Sequence, residues 1–321
     1  MLNNLKVVYH TILISWFLLF CLFTVNVEAD PIQIKNHSPI WFGLLFPTPD
    51  RTEAIAEKKS ETSLQFDYSS VFLLRQRNEW YIIYDMEITQ FTLTHRKGFA
   101  NGLEAGIEAS TVHMGGGFLD DSIINFHTAT GFPNYVGQKE APRNRFLYGT
   151  WRYENKWNQA RPYTFTLGET NLWLKKEIWE SDDKLVSAKL MLQAPTAPTD
   201  IGIGNGSWEW SAILLHKRDI HSFKADFSAG YVDTGHYERG ETFYPHDFLF
   251  LRAGIEKPIK SRYSLILQGT FSSTPFYRPL WGEVTFGGRY TRPDGSEVSL
   301  AFLEDLSKTS PDFTFHLSYT F

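Results

Sequence analysis

The stretch that decides the fold is Phe313-Thr314-Phe315-His316-Leu317-Ser318-Tyr319-Thr320-Phe321, at the C-terminal end of the sequence. Phe313, Phe315, Leu317, Tyr319 and Phe321 fall on one face of an extended chain and Thr314, His316, Ser318 and Thr320 on the other, which is the period of two that a strand requires. A strongly aromatic strand left as an open edge would template aggregation, whereas closing the sheet removes the edge. Strands of about ten residues that alternate apolar-out and polar-in, with aromatic girdles, are the signature of a membrane-spanning β-barrel. A secreted β-sandwich with an aromatic ligand groove is the competing reading.

Working back from that strand, the same alternation recurs at Leu64 to Leu74, Leu103 to Ala109, Val186 to Ala194, Phe223 to Tyr231, Leu249 to Ile255, Tyr263 to Gly269, Val284 to Tyr290 and Val298 to Phe302. Less regular stretches lie near Ile82 to Leu93, Phe146 to Tyr153, Tyr163 to Leu174 and Trp208 to Leu215, and a first strand is expected at Ile40 to Phe46. The fold class is therefore all-β: an antiparallel barrel of about 14 strands, with 12 as the alternative, carrying one short helix-containing insertion. The tight turn signal at Pro293-Asp294-Gly295 and the short Lys257 to Arg262 and His216 to Ser222 connections belong to the periplasmic end, if the C-terminus does. On that count the long connection from Met114 to Arg145 falls on the periplasmic side, so it is expected to fold inward as a plug unless the strand count is off by one.

The first 29 residues read as a signal peptide. Lys6 precedes an apolar run from Thr11 to Val25, too short for a spanning helix, and Val27-Glu28-Ala29 before Asp30 fits a cleavage site. Residues 30–321 then form the barrel. The single cysteine, Cys21, lies inside the leader, so the processed chain has no disulfide or thiolate chemistry. With 36 acidic against 31 basic residues and no basic tail, nucleic acid is not an expected partner.

Within 114–145 the alternation gives way to a helical pattern, with Leu119, Ile123 and Phe126 on one face. Asp120 or Asp121 caps its start, Gly131 and Pro133 end it, and His127 lies two turns beyond Asp120 on the same face. Asp120, Asp121, His127, Arg143 and Arg145 are the lumen or plug candidates, as an acid/base or selectivity pair with two constricting arginines. The alternative makes the acids helix caps, His127 a dipole-favoured residue and the arginines ordinary wall or loop cations. No G-x-S-x-G, H-E-x-x-H or phosphate-loop motif is present in the sequence, and no catalytic residue, metal ligand or cofactor is indicated.

The run Gly115-Gly116-Gly117-Phe118-Leu119-Asp120-Asp121-Ser122-Ile123-Ile124-Asn125-Phe126-His127, with Gly131-Phe132-Pro133-Asn134 and Pro142-Arg143-Asn144-Arg145-Phe146, resembles the signature block of the bacterial "domain of unknown function 3187" family. Asn101 to Gly106, Ala194-Pro195-Thr196 with Gly202-Ile203-Gly204, and Phe302 to Leu306 with Pro311-Asp312 extend the resemblance over nearly the whole processed chain; Ala197 stands where a glycine is expected. The resemblance implies an outer-membrane barrel and no assigned activity. The expected location is the bacterial outer membrane, with its lipid and, through the terminal Phe321, the barrel assembly machinery as partners. The leading functional expectation is a narrow or plugged channel for small solutes; a structural or assembly barrel binding a periplasmic partner and a lipid-acting outer-membrane hydrolase are the alternatives.

Overall fold

The period-two stretches form antiparallel strands that close on themselves. The computed structural model describes residues 30–321 apart from 78–79, 131–136, 153–154, 160–161, 238–244, 274, 276–279 and 307–312; residues 1–29, the expected leader, and the expected helix-ending Gly131 and Pro133 lie outside the described residues. The strands are β1 (Ser60–Arg77), β2 (Trp80–Phe99), β3 (Leu103–Gly115), β4 (Leu147–Arg152), β5 (Asn155–Gln159), β6 (Tyr163–Leu167), β7 (Thr170–Ser181), β8 (Lys184–Ala194), β9 (Glu209–Ile220), β10 (Phe223–Asp233), β11 (Phe248–Lys260), β12 (Tyr263–Ser273), β13 (Leu280–Thr291), β14 (Glu297–Asp305) and β15 (Phe313–Thr320). Among the described residues two short α-helices, α1 (Pro39–Phe42) and α2 (Asp120–Thr130), accompany them.

The ring runs β1-β2-β3-β7 and onward in sequence order to β15, which pairs with β1 from Ser63↔Thr320 to Ser70↔Phe313. Phe321 adds a reciprocal pair with Thr62, each N–H 2.9 Å from the other's carbonyl. β6 continues the line of β7 on β3: the register passes from Glu108↔Asn171 to Thr111↔Leu167, one residue out of step, so Gly168 and Glu169 form a bulge in a single interrupted strand. β4 and β5 form a hairpin on the Trp80–Asp85 portion of β2, which overhangs β3. The closed barrel therefore has 12 strands.

Two of the fourteen expected strands are not in the ring. Ile40 to Phe46 contains α1 and lies inside the barrel, because Pro39 removes a donor that a ladder would need and favours a helix start. Phe146 to Tyr153 contributes β4, which adds to an overhang without crossing the wall. Removing that one crossing reverses the side of the preceding connection, so the Met114 to Arg145 segment lies at the end opposite the C-terminus. At the terminal end the connections are short: 100–102, 182–183, 221–222, 261–262 and 292–296. The last is the expected turn, with Gly295 at φ 86° and Asp294 Oδ1 accepting from Ser296 N–H and hydroxyl at 3.0 and 2.6 Å.

Pleating sorts the side chains. In β11, Phe248, Phe250 and Arg252 are buried inside, while Leu249 and Leu251 between them are 64% and 61% exposed. In β15, Thr314 and His316 are fully buried, and His316 Nδ1 lies 2.7 Å from Asp67 Oδ1 across the closing seam. Leu64, Phe91, Leu93, Leu174, Leu190, Leu214, Phe286, Leu300 and Leu317 form part of an outward apolar surface. No helix among the described residues is long and apolar enough to cross a membrane, which leaves crossing by strands open.

Candidate functional site: a lumen filled from within

Residues 30–57 precede β1 and run through the barrel interior. The segment starts at the terminal end, rises to α1 near the far end and returns to enter β1, as its successive wall partners show: Glu256 for Asp30, Gln268 for Ile32, Glu283 for Asn36, Glu209 for Leu45 and Glu104 for Ile55. Pro31, Pro39, Pro47 and Pro49 keep it from joining the sheet. Its backbone groups are buried without a ladder, so the wall must supply hydrogen bonds.

Wall side chains provide them. Gln268 accepts from Ile32 N–H at 2.7 Å and donates to its carbonyl at 3.0 Å. Glu209 accepts from Leu45 N–H, from Asn205 Nδ2 at 2.7 Å and from Gly235 N–H at 2.9 Å, tying the top of the segment to two far-end loops. Arg252 donates to the Pro47 carbonyl, Lys175 to that of Arg51 at 3.2 Å, and Ser187 to that of Thr52 at 2.6 Å. On the return, Glu177 and Glu104 accept from Ala54 and Ile55 N–H at 2.8 and 3.0 Å.

The filling has two layers. Toward the far end Trp41, fully buried, lies 5.0, 5.2 and 5.3 Å by ring centroid from Phe46, Phe248 and Trp281, and Phe46 meets Trp281 edge-on at 5.2 Å. Toward the terminal end the contacts are ionic. Asp50 reaches Arg96 and Lys189, both at 2.6 Å; Glu104 reaches Lys175 at 3.2 Å and Arg96 at 3.7 Å; Arg51 forks onto Glu61 at 2.9 and 3.1 Å. Burial pushes the Asp50 carboxyl up, but Arg96, Lys175 and Lys189 outweigh it and hold the group well below the usual carboxylate range. Between the layers His37 contacts Ser69 at 2.8 Å and Gln90 at 3.0 Å; burial, opposed by Asp67, pushes its imidazole down to about 4.

Two wall glycines make room for the segment. A Cβ on Gly98 would sit 2.0 Å from the Ile55 carbonyl oxygen and 2.3 Å from that of Ala56, and one on Gly287 would sit 2.3 Å from Ile32 Cδ1. A polar cavity of about 50 Å³ remains at the terminal end, lined in part by Asp30, Arg51, Glu61, Arg96, Arg289 and Glu297.

The five residues singled out from the sequence gather around α2 at the far rim. Asp120 Oδ2 accepts from Asn144 N–H at 2.7 Å, Arg143 Nε donates to Asp121 Oδ1 at 2.8 Å, Arg145 pairs with Asp85, and His127 Nε2 lies 3.6 Å from Glu304 Oε1. Arg143 also donates to the carbonyls of Gln138, Ala141 and Lys139, and Glu87 accepts from Phe118 and Leu119 N–H. These pairs fasten the α2 segment to the rim. The residues that fill and line the lumen were missed in the sequence. The available signal was the proline-punctuated stretch from Asp30 to the first strand, together with strand interiors carrying Arg96, Glu104, Lys175, Lys189, Arg252 and Glu256.

A protein-family model described as "Protein of unknown function (DUF3187)" matches residues 9–321. No curated protein matches the sequence. Among solved structures the chain is similar to the COG4313 outer membrane channel from Pseudomonas putida F1, at 10% identity and a TM-score of 0.57, over 86% of this chain and 99% of that one. It is also similar to the NanC porin, at 10% identity and a TM-score of 0.48 over 82% and 99%. A Pseudomonas aeruginosa FadL homologue aligns at 10% identity and a TM-score of 0.44, over 91% and 99%. At these identities the likeness is one of fold: the chain has the architecture of outer-membrane channel barrels.

Proposed function

For a member of the DUF3187 family, to which this chain belongs, we propose an outer-membrane channel for small solutes whose lumen is closed by its own N-terminal segment, residues 30–57. The observation that carries the reading is the burial of that segment inside a 12-stranded barrel of channel fold. A barrel of this size leaves little space once the segment is inside, and the polar cavity at the terminal end measures only about 50 Å³. Solute passage then requires the segment to shift or leave. The anchors suit a movable element: they are wall side chains and ion pairs, and no strand pairing holds 30–56 to the sheet. On this reading the terminal end with its short turns faces the periplasm, and α2 with the long connections faces outward. The fold likeness is to channels, and His127 is engaged by Glu304 at the rim, so the geometry offers a lipid hydrolase nothing in particular.

The test is solute uptake into proteoliposomes, comparing intact processed protein with a form lacking residues 31–56. Swelling should be slow with the intact protein and fast, with a size cut-off, for the shortened form. Equal swelling rates for two correctly folded barrels would end the proposal.

A further inference from the structure

The anchoring of Asp30 points to a site that removal of the leader would complete. Asp30 N is 3.0 Å from Glu256 Oε2, the Asp30 carbonyl accepts from Arg289, and its Oδ2 lies 3.5 Å from Arg51. Two residues on, the double hydrogen bond between Ile32 and Gln268 fixes the direction of the chain. The Glu256 side chain is 2% exposed, and its Oε2 also receives Arg289 Nη1 at 3.1 Å. The backbone nitrogen of Asp30 is thus held against a buried carboxylate inside the barrel.

We infer that cleavage between Ala29 and Asp30 completes a binding site in the barrel wall for the chain's own α-ammonium, with Glu256 as its counter-ion. Signal peptidase catalyses addition of water across the Ala29–Asp30 peptide bond. The hydroxyl goes to the Ala29 carbonyl carbon and the hydrogen to the Asp30 nitrogen; the acid's proton ends on the amine, giving a carboxylate on the released leader and an ammonium on Asp30. An ordinary α-amino group, with a pKa of about 7.7 to 8.0, is mostly cationic at neutral pH; here the Glu256 carboxylate favours that charge, while burial and the Arg289 and Arg51 guanidiniums oppose it.

The local charge inventory accepts that cation. Four acids, Asp30, Glu61, Glu256 and Glu297, face three guanidiniums: Arg289 pairs with Glu256 and Glu297 at 3.1 and 3.4 Å, Arg51 divides itself between Asp30 and Glu61, and Arg96, held mainly by Asp50, reaches Glu61 at 3.9 Å. An amide offers this group one neutral donor, whereas an ammonium offers three charged ones and a positive charge to the side with excess acid. Processing thereby strengthens the seating of the segment, so that closure of the lumen follows export. The inference concerns seating and stands apart from what the lumen conducts.

The processed chain has no cysteine, so an Ile34→Cys variant gives one thiol in the buried segment. Exported protein is checked by intact mass and by heat-modifiable mobility, and the rate at which maleimide labels that single thiol is then measured. Two changes are compared: Glu256→Gln, and insertion of two glycines between Ala29 and Asp30, which keeps cleavage after Ala29 and moves the ammonium away. Without the insertion the mass should be that of a chain beginning at Asp30. Each change should raise labelling at least about tenfold, and their combination should do no more than either alone, since both remove one interaction. A different mature N-terminus, or unchanged labelling in the insertion variant with its glycine terminus verified, overturns the inference. Should Glu256→Gln not assemble, the insertion, which alters no wall residue, decides alone.

Discussion

Replacing Asp50 by Ala removes the anion that joins the inner segment to two wall cations. The Asp50 side chain is 2% exposed, and its oxygens lie 2.6 Å from Arg96 and from Lys189, with Gln33 at 3.3 Å. Taking one partner from a buried pair costs about 3–5 kcal/mol, because a charge is left in low dielectric. Here the strain falls on Lys189, since Arg96 keeps Glu104 at 3.7 Å and Glu61 at 3.9 Å. The cost is borne by the seated state alone, so seating weakens by roughly two to three and a half orders of magnitude, at about 1.4 kcal/mol per decade. Single-channel recording in planar bilayers reads this as opening frequency: rare events in the parent, frequent or sustained events in Asp50→Ala. Adding Lys189→Met, which removes the stranded ammonium, should bring the frequency part of the way back. A folded, heat-modifiable Asp50→Ala barrel that opens no more often than the parent would refute the reasoning.

Trp41→Ala empties the aromatic layer against Phe248 and Trp281, should cost about 3–5 kcal/mol, and is read as faster protease access to residues 30–57. Gly98→Ala pushes a methyl into the Ile55 and Ala56 carbonyls, so it should raise conductance while the barrel still forms; silence would count against the seated geometry. For His37, burial holds the folded-state imidazole down to about 4, so an undocked segment binds the proton first and seating weakens as pH falls from about 6.5 toward 4, by up to about 3 kcal/mol. Opening frequency should rise over that window and His37→Gln should flatten the response, although Asp67, Lys35 and His316 lie close enough to shape it. Deleting Phe321 removes the reciprocal pair with Thr62 at the closing seam and should lower the yield of heat-modifiable protein in the outer membrane.

The wall was legible because membrane-spanning strands write their two faces directly into alternate positions, as Phe313 to Phe321 and Leu249 to Ile255 do. The ring has the 12 strands kept as the alternative, and the count of 14 took in two stretches where the same residue types serve other ends. The Ile40 to Phe46 stretch is apolar because Trp41, Phe42, Leu44, Leu45 and Phe46 fill a lumen, and Phe146 to Tyr153 reads as a strand because β4 within it pairs with the overhang of β2, where Tyr148 and Thr150 are buried. One surplus crossing was enough to put the α2 segment at the wrong end, since each strand reverses the side of the next connection. The candidate site was less legible. Asp50, Arg96, Glu104, Lys175 and Lys189 come from separate stretches of sequence, and only ring closure brings them together. Asp120 and His127 drew notice because helical spacing is local, yet their partners, Asn144 and Glu304, lie 24 and 177 positions away, and the second distance has no sequence signature.

The central claim, that residues 30–57 close an otherwise conducting barrel, is tested most directly by the conductance of the same barrel with and without residues 31–56. The account predicts long closed intervals for the intact protein and steady, salt-dependent current steps for the shortened one. A shortened barrel that is folded and inserted yet carries no current, or an intact one that conducts as freely as the shortened form, would contradict it.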